Sequence, residues 1–375
     1  MLTTFADRVK DQLKHNSPGL LRWLGLELLD KTQTERLLKP YVLKMTDKAP
    51  ISLPEVTDVF NAERVVFPPK TVQTDPDFLW DYPNATGEAQ LLRCGSVQIG
   101  EQVPDTDFGN HALLNDLVSP DRRPVQYYPT VMAPWSHYWG GYYDFVFFVA
   151  AKLCRLKAAL PPETFGEIAV SYPLFHQPFE TELLTLLDIS SDRIFDSRRH
   201  ALSFDRCLLA NNSSWFYPSA RDLLTLKAAV EGQLPPPPDQ PSRRLYISRK
   251  GRRQVVNEAE LTQLLARFGF EVVPDEPRSV AEQVRLYQSA DFVLGPHGAS
   301  FANLLWCRPG TQLLELFAPT YRPEYFRYLA HVLQLRYAAH SAGPLLESHH
   351  SQVNADLTVD LDEVEQGLTV LFLAP

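Results

Sequence analysis

Residues 290–315 read ADFVLGPHGASFANLLWCRPGTQLLE. Phe292-Val293-Leu294 is an apolar run too short for a helix and suited to a buried strand. Gly295-Pro296-His297-Gly298-Ala299 follows, a loop of small residues around one imidazole. Ser300 is placed to cap a short helix that carries Asn303 and Trp306 and ends at Pro309-Gly310. Thr311–Phe317 then returns as a strand, with Glu315 near its end. Strand, glycine loop, helix and strand make a βαβ unit, whose loops at carboxyl ends of strands are where α/β proteins bind ligands. Glycines let the backbone approach a ligand closely. The first amides of a helix lack intrahelical partners, and its dipole adds roughly 0.3–2 kcal/mol for an anion. Read alone, the stretch is either a phosphate grip or a tight turn that packs helix on sheet.

Outward from it, the preceding elements repeat the α/β rhythm. Arg244–Ser248 reads as a strand, followed by the basic loop Arg249-Lys250-Gly251-Arg252-Arg253. Asn257 and Glu260 have capping-box spacing ahead of a helix with Leu261, Leu264, Leu265 and Phe268 on its buried stripe and Gly269 at its end. Phe270–Val273 is a strand, and Ser279 with Glu282 makes a second capping box. In a parallel sheet the basic loop and the glycine loop both leave carboxyl ends of strands, so both can face one ligand. Arg249 with Arg252 or Arg253 can clamp a diphosphate through planar donors; the alternative is a solvated charge run. Glu315 can accept from ribose hydroxyls or serve as a strand-end carboxylate.

These residues carry a resemblance. SRKGRRQVVNE, then VAEQVRLYQSADFVLGPHGASFANLLWCRPGTQLLEL, over roughly residues 243–317, resemble the C-terminal half of glycosyltransferase family 61 proteins. The resemblance implies a GT-B type α/β fold, with two Rossmann-like domains facing a central cleft. It implies an inverting glycosyltransferase, with a nucleotide-sugar donor held mainly by the C-terminal domain and no bound metal or other cofactor. It also implies a glycan or lipid-linked glycan acceptor, in surface or capsular polysaccharide synthesis. Residue by residue, Arg249 and Arg253 fall where the diphosphate is held. Asn257, Gln283, His297, Gly298, Ala299, Asn303 and Glu315 match the remaining donor-side motifs.

The N-terminal half matches less closely. Around SHYWGGYYDFVFFVAAKL, Asp144 stands where the family usually has a histidine and Phe148 where it has an acidic residue. Inverting transfer needs a proton acceptor within hydrogen-bond reach of the acceptor hydroxyl. The candidates are His137, Asp144 and His111. His137 sits in an aromatic, glycine-containing stretch suited to sugar, or packs in a loop; Asp144 is a base or a helix cap. If the base is lost, the chain is a non-catalytic nucleotide-sugar or glycan-binding protein. No GxSxG elbow supports a hydrolase reading.

The chain has 375 residues, enough for two domains. Residues 1–234 are expected as the acceptor-side domain: a helical and β-rich lead-in over 1–130, then a Rossmann-like part over 131–234. Four successive prolines within 235–241 mark a linker, and 242–375 form the nucleotide-sugar-binding domain, with a last helix able to pack back on the first. A net charge of −9 argues against nucleic acid as partner. Cys94, Cys154, Cys207 and Cys307 show no CxxC pair and suit a reducing cytoplasm. The longest apolar patch, Phe145–Ala151, is far below the ~20 residues that span a bilayer. The basic, amphipathic residues 1–50 either pack as helices or make a peripheral contact with the inner face of a membrane. Nothing in the sequence sets the oligomeric state.

Overall fold

The computed structural model describes residues 25–110, 113, 121–236 and 243–373. The helices expected within 1–24, the candidate His111 and most of the Pro-rich linker lie outside the described residues. The protein is α/β and divides into two compact units, residues 1–48 with 74–229, and residues 49–73 with 230–375.

The first unit carries a six-stranded sheet. Its order is Ile194–Asp196, Ala169–Tyr172, Thr130–Met132, Arg206–Ala210, Asp77–Pro83, Val42–Thr46. The first four strands are parallel and the last two antiparallel. Numbered along the chain, the parallel strands run 3-2-1-4, so the order reverses between Thr130–Met132 and Arg206–Ala210, the crevice where such sheets take ligands. The long apolar helix covers this sheet. It runs from Tyr142 to Lys157, and its middle, Phe145–Ala150, is wound as π-helix. Phe145–Leu156 are all buried, which explains a sequence apolar at every position but Lys152 and Arg155, both held in buried ion pairs. Long π-helical runs are rare and concentrate near functional sites.

The second unit carries a seven-stranded sheet in the order Phe270–Val273, Arg243–Ile247, Ala290–Pro296, Gln312–Phe317, Arg336–Ser341, Val56–Asp58, Asn61–Phe67. Its five C-terminal strands are parallel and run 2-1-3-4-5 along the chain. The reversal falls between Arg243–Ile247 and Ala290–Pro296, the two strands that lead into the basic loop and the glycine loop. Ala290–Pro296 is buried at every position but Asp291, as a parallel strand covered on both faces requires. Each fully buried Phe, Val or Leu of such a strand contributes about 1.5–3 kcal/mol.

Local details sharpen or correct the sequence reading. Residues 49–73, expected in the N-terminal lead-in, complete this second sheet. The last helix, Leu361–Leu373, buries Val364 and Leu368 in the same core as Leu261 and Leu265. The Ser279–Glu282 capping box is present, and Gly269 ends its helix at φ +74°. Asn257 does not cap: its φ/ψ of −99°/43° leaves no side-chain cap bond. The helix after the glycine loop is 3-10, Ala299–Trp306, with Gly298 rather than Ser300 at its cap position. Phe301, Leu304, Leu305 and Trp306 are fully buried and hold it to the sheet.

Candidate active site

The two loops at the second unit's switch point interlock. A Cβ at Gly298 would lie 1.5 Å from Nη1 of Arg249 and 2.6 Å from its Cζ. Gly298 has extended backbone, φ 177°, so glycine is needed there for room, not for conformation. A Cβ at Gly295 would lie 2.8 Å from the carbonyl oxygen of Ile247, so that glycine lets the two strands' ends come together. The guanidinium of Arg249 therefore lies directly on the glycine loop. Its Nε donates to the carbonyl oxygen of Arg252 at 2.6 Å. Burial, with Arg253 and Arg252 close by, pulls its pKa down to about 10. Arg253 holds φ +56°, an uncommon conformation for a side-chain-bearing residue. It is buried, donates from Nη1 to the carbonyl oxygen of Val353 at 2.9 Å, and lies 5.6 Å over the Tyr321 ring. Among the described residues, its buried Nε has no hydrogen-bond partner. Burial and then Arg252 lower its pKa. Crowded cations with an unmet donor are what an anion relieves.

His297 sits beside them, 5% exposed, boxed by Phe317, Tyr321, Tyr325 and Phe326 with ring centroids 5.3–5.7 Å away. Its Nδ1 is 2.5 Å from Oε1 of Glu315, whose Oε2 accepts from the Tyr337 hydroxyl at 2.7 Å. Glu315 is fully buried, in register with Gly295, so of the two readings open to it a solvated strand end does not hold. Burial drives the Glu315 carboxyl well above its ordinary range, against the pull of Tyr337 and Arg253. Burial, then Arg253 and Arg249, drive the His297 imidazolium well below its own. The pair is thus net neutral with one proton shared between Oε1 and Nδ1, and Nε2 bears the ring's other hydrogen. His297 is then a donor at Nε2, suited to an anionic oxygen.

The other candidate residues named from the sequence bond within the protein. The Asn257 side chain donates to the carbonyl oxygen of Val359 and accepts from its amide, at 2.8 and 3.1 Å. Asn303 donates to Oε1 of Gln283 at 2.6 Å and accepts from the Trp306 indole at 3.1 Å, tying the 3-10 helix to helix Val280–Gln288. Ala299 opens the 3-10 helix beside Gly298.

In the first unit, His137 is 1% exposed, stacked at 4.1 Å on Trp139 and flanked by Phe108 and Trp135. Asp144 is 8% exposed and accepts from the Gly141 amide at 3.1 Å, a cap on the apolar helix. Burial raises its pKa to about 7. Two groups escaped the sequence reading. Asp107, 1% exposed, accepts from Lys152 Nζ at 2.7 Å, from Asn212 at 2.6 Å, and from the amide and hydroxyl of Ser136 at 3.0 and 2.8 Å. His176 pairs with Asp196 at 2.9 Å. Their partners lie 45 and 20 residues away along the chain, so no local spacing marks either.

Known proteins bear on this arrangement. The beta-1,2-xylosyltransferase RCN11 of Oryza sativa subsp. japonica is 36% identical over 61 residues, 16% of this chain and 11% of the relative. The xylan glycosyltransferase MUCI21 of Arabidopsis thaliana is 29% identical over 73 residues, 19% of this chain and 15% of the relative. The chain thus matches only a small part of the length of either. Among the described residues, no helix is long and apolar enough to cross a membrane. The family model described as Glycosyltransferase 61 matches residues 90–314, which take in the four parallel strands of the first unit's sheet and the interlocked loops of the second. With more than half of its length matched, the chain belongs to glycosyltransferase family 61.

Proposed function

We propose that the protein is an inverting, GT-B type glycosyltransferase that moves a sugar from a nucleotide-sugar donor to a hydroxyl of a polysaccharide acceptor. The second unit takes the donor. The observation that carries this reading is the guanidinium of Arg249 lying on Gly298 at the switch point, beside the unsatisfied Nε of Arg253. The acceptor oxygen bonds to the anomeric carbon as the bond from that carbon to the diphosphate oxygen breaks. The electron pair leaves with the nucleoside diphosphate. Arg249, Arg253, the Nε2 hydrogen of His297 and the first amides of the 3-10 helix offset its growing charge, an electrostatic role that operates without a metal. Asn257, Gln283, Asn303 and Glu315 hold these groups in place. For the group that takes the acceptor's proton, the sequence names His137 and Asp144.

The two relatives are named for xylose and xylan transfer, so a UDP-xylose donor is the first to test. The alternative, a binding protein without turnover, draws on the burial of both His137 and Asp144. Calorimetric titration with UDP, GDP, CMP and UDP-sugars tests the donor site. Binding weakened by added pyrophosphate is expected; no binding by any of them overturns the reading. Release of nucleoside diphosphate in the presence of xylo-oligosaccharides separates the transferase from the binding protein.

A further inference from the structure

The amino-terminal rim of the first unit's sheet carries a groove of about 640 Å³, within the size range of ligand sites. Thr130 and Arg206 open two adjacent parallel strands and lie in register with each other. Arg206 is also in register with Pro83, the last residue of the antiparallel neighbour. The ladder of the sheet thus fixes these three strand ends as a floor. The groove lies at the opposite end of the strands from the crevice at their carboxyl ends. Pro40, Tyr41, Val42 and Leu43, leading into the edge strand Val42–Thr46, form one wall. Val42 and Leu43 are 38% and 43% exposed although apolar, so this wall stands open.

Apolar faces and polar groups meet here in the way a sugar chain needs. Arg206 donates from Nε and Nη2 to the two carboxylate oxygens of Asp81, each at 2.6 Å. This forked pair is only part-buried, and Nη1 of Arg206 makes no hydrogen bond among the described residues. Asp205, just before the same strand, accepts from the Tyr127 hydroxyl at 2.5 Å through Oδ2 and leaves Oδ1 open. The hydroxyls of Thr130 and Tyr41 also make no hydrogen bond among the described residues. The Tyr41 ring is steadied by a T-shaped contact with the buried Tyr82 at 4.9 Å. Tyrosine and proline faces suit the C–H faces of sugar rings, and open donors beside open acceptors suit hydroxyls, which both donate and accept. Two carboxylates against one guanidinium disfavour an anionic chain.

We infer that this groove is a second glycan site, which grips a neutral stretch of polysaccharide and takes no part in the reaction. In taking a polysaccharide as ligand it rests on the transferase reading above. Tyr41 and the prolines carry the sugar rings; Arg206, Asp205 and Thr130 take their hydroxyls. A chain held here is tethered to the protein, which raises the effective concentration of the rest of its length.

The test uses Tyr41→Ala and, because Tyr41 also packs on Tyr82, the exposed Asp205→Ala as a second variant. Affinity electrophoresis through gels holding xylan, glucomannan or mixed-linkage glucan reads binding with no nucleotide sugar present, and polygalacturonate serves as the anionic contrast. Wild type should be retarded by at least one neutral polymer and less by polygalacturonate. Each variant should bind that polymer about 3- to 30-fold more weakly, with UDP affinity unchanged and, for Asp205→Ala, an unchanged thermal midpoint. Wild type retarded by none of the neutral polymers, or more strongly by polygalacturonate, overturns the inference. So does binding by Asp205→Ala within about twofold of wild type. A wild type whose retardation depends on Tyr41 and Asp205 but which releases no UDP from any UDP-sugar overturns the transferase reading and leaves the groove standing.

Discussion

Replacing Gly298 by alanine separates binding from folding at the proposed donor site. The new methyl would lie 1.5 Å from Nη1 of Arg249, which no packing tolerates. What must move is the far end of a flexible side chain. The extended backbone at Gly298 accepts alanine without strain, and losing glycine freedom in the unfolded chain is worth about 0.4–1 kcal/mol of stability. The fold should hold, with a thermal midpoint equal to or slightly above wild type. The guanidinium, however, leaves the glycine loop. A hydrogen bond from a charged group contributes about 1.5–3 kcal/mol, so nucleoside diphosphate affinity should fall by roughly 10- to 150-fold. Arg249→Ala should show a similar loss. In the double variant the methyl meets no guanidinium, so adding Gly298→Ala to Arg249→Ala should cost almost nothing further. Calorimetric titration of the four proteins gives the coupling. Undiminished affinity in Gly298→Ala, or additive losses in the double variant, would refute the argument that Arg249 acts from its seat on Gly298.

Two further predictions concern the first unit. Asp144 has a folded pKa of about 7, above its ordinary value because of burial. The folded state therefore holds a proton that the unfolded state releases between about pH 4 and 7, and stability falls as pH rises through that window. Asp144→Asn keeps an oxygen for the Gly141 amide and should be the more stable protein at pH 8, by an amount on the order of 4 kcal/mol, with the difference vanishing near pH 4. Melting curves across pH would reject this if wild type were equally stable at both ends. Lys152→Met leaves the buried Asp107 carboxylate without its cation and should cost about 3–5 kcal/mol in denaturant unfolding; a loss below about 1 kcal/mol would show that Asn212 and Ser136 suffice.

The glycine loop and its flanking strands were readable in the sequence because each element there obeys a local rule. An apolar run made the strand, Ser279 and Glu282 capped the helix, and Gly269 closed another. The spacing of Gly295 and Gly298 also pointed to close approach, although what approaches is the protein's own Ile247 and Arg249. What stayed hidden depends on distant partners. Asn257 has the spacing of a cap but is claimed by Val359, 102 residues on. Glu315 reads as either a ribose contact or a strand-end carboxylate, and its bond to the Tyr337 hydroxyl on the neighbouring strand leaves no mark in the sequence. His176 is held by a backbone shape and a carboxylate on the next strand, and neither leaves a motif. Family resemblance is densest in the motifs of the second unit and fades where this chain departs from the pattern at Asp144 and Phe148.

The second unit's sheet has an edge made of residues synthesised early. Asp58 bonds His340 and the Ser341 amide, and Arg64 bonds the Ser341 carbonyl, across as many as 283 residues. During translation this segment must wait for nearly the whole chain before it can pair. Until then the strand pair Val56–Asp58 and Asn61–Phe67 is open to mispairing, and strand Arg336–Ser341 emerges needing it. A fragment cut at the proline linker would begin its sheet with Arg336–Ser341 as a bare edge and would leave the buried Arg327 without the carbonyl oxygens of Leu53, Pro54 and Pro68. The second unit is thus a spatial unit but not a contiguous one. A circular permutant that joins residues 49–73 to the C-terminal half, rather than a truncation, is the form in which it could be made to fold alone.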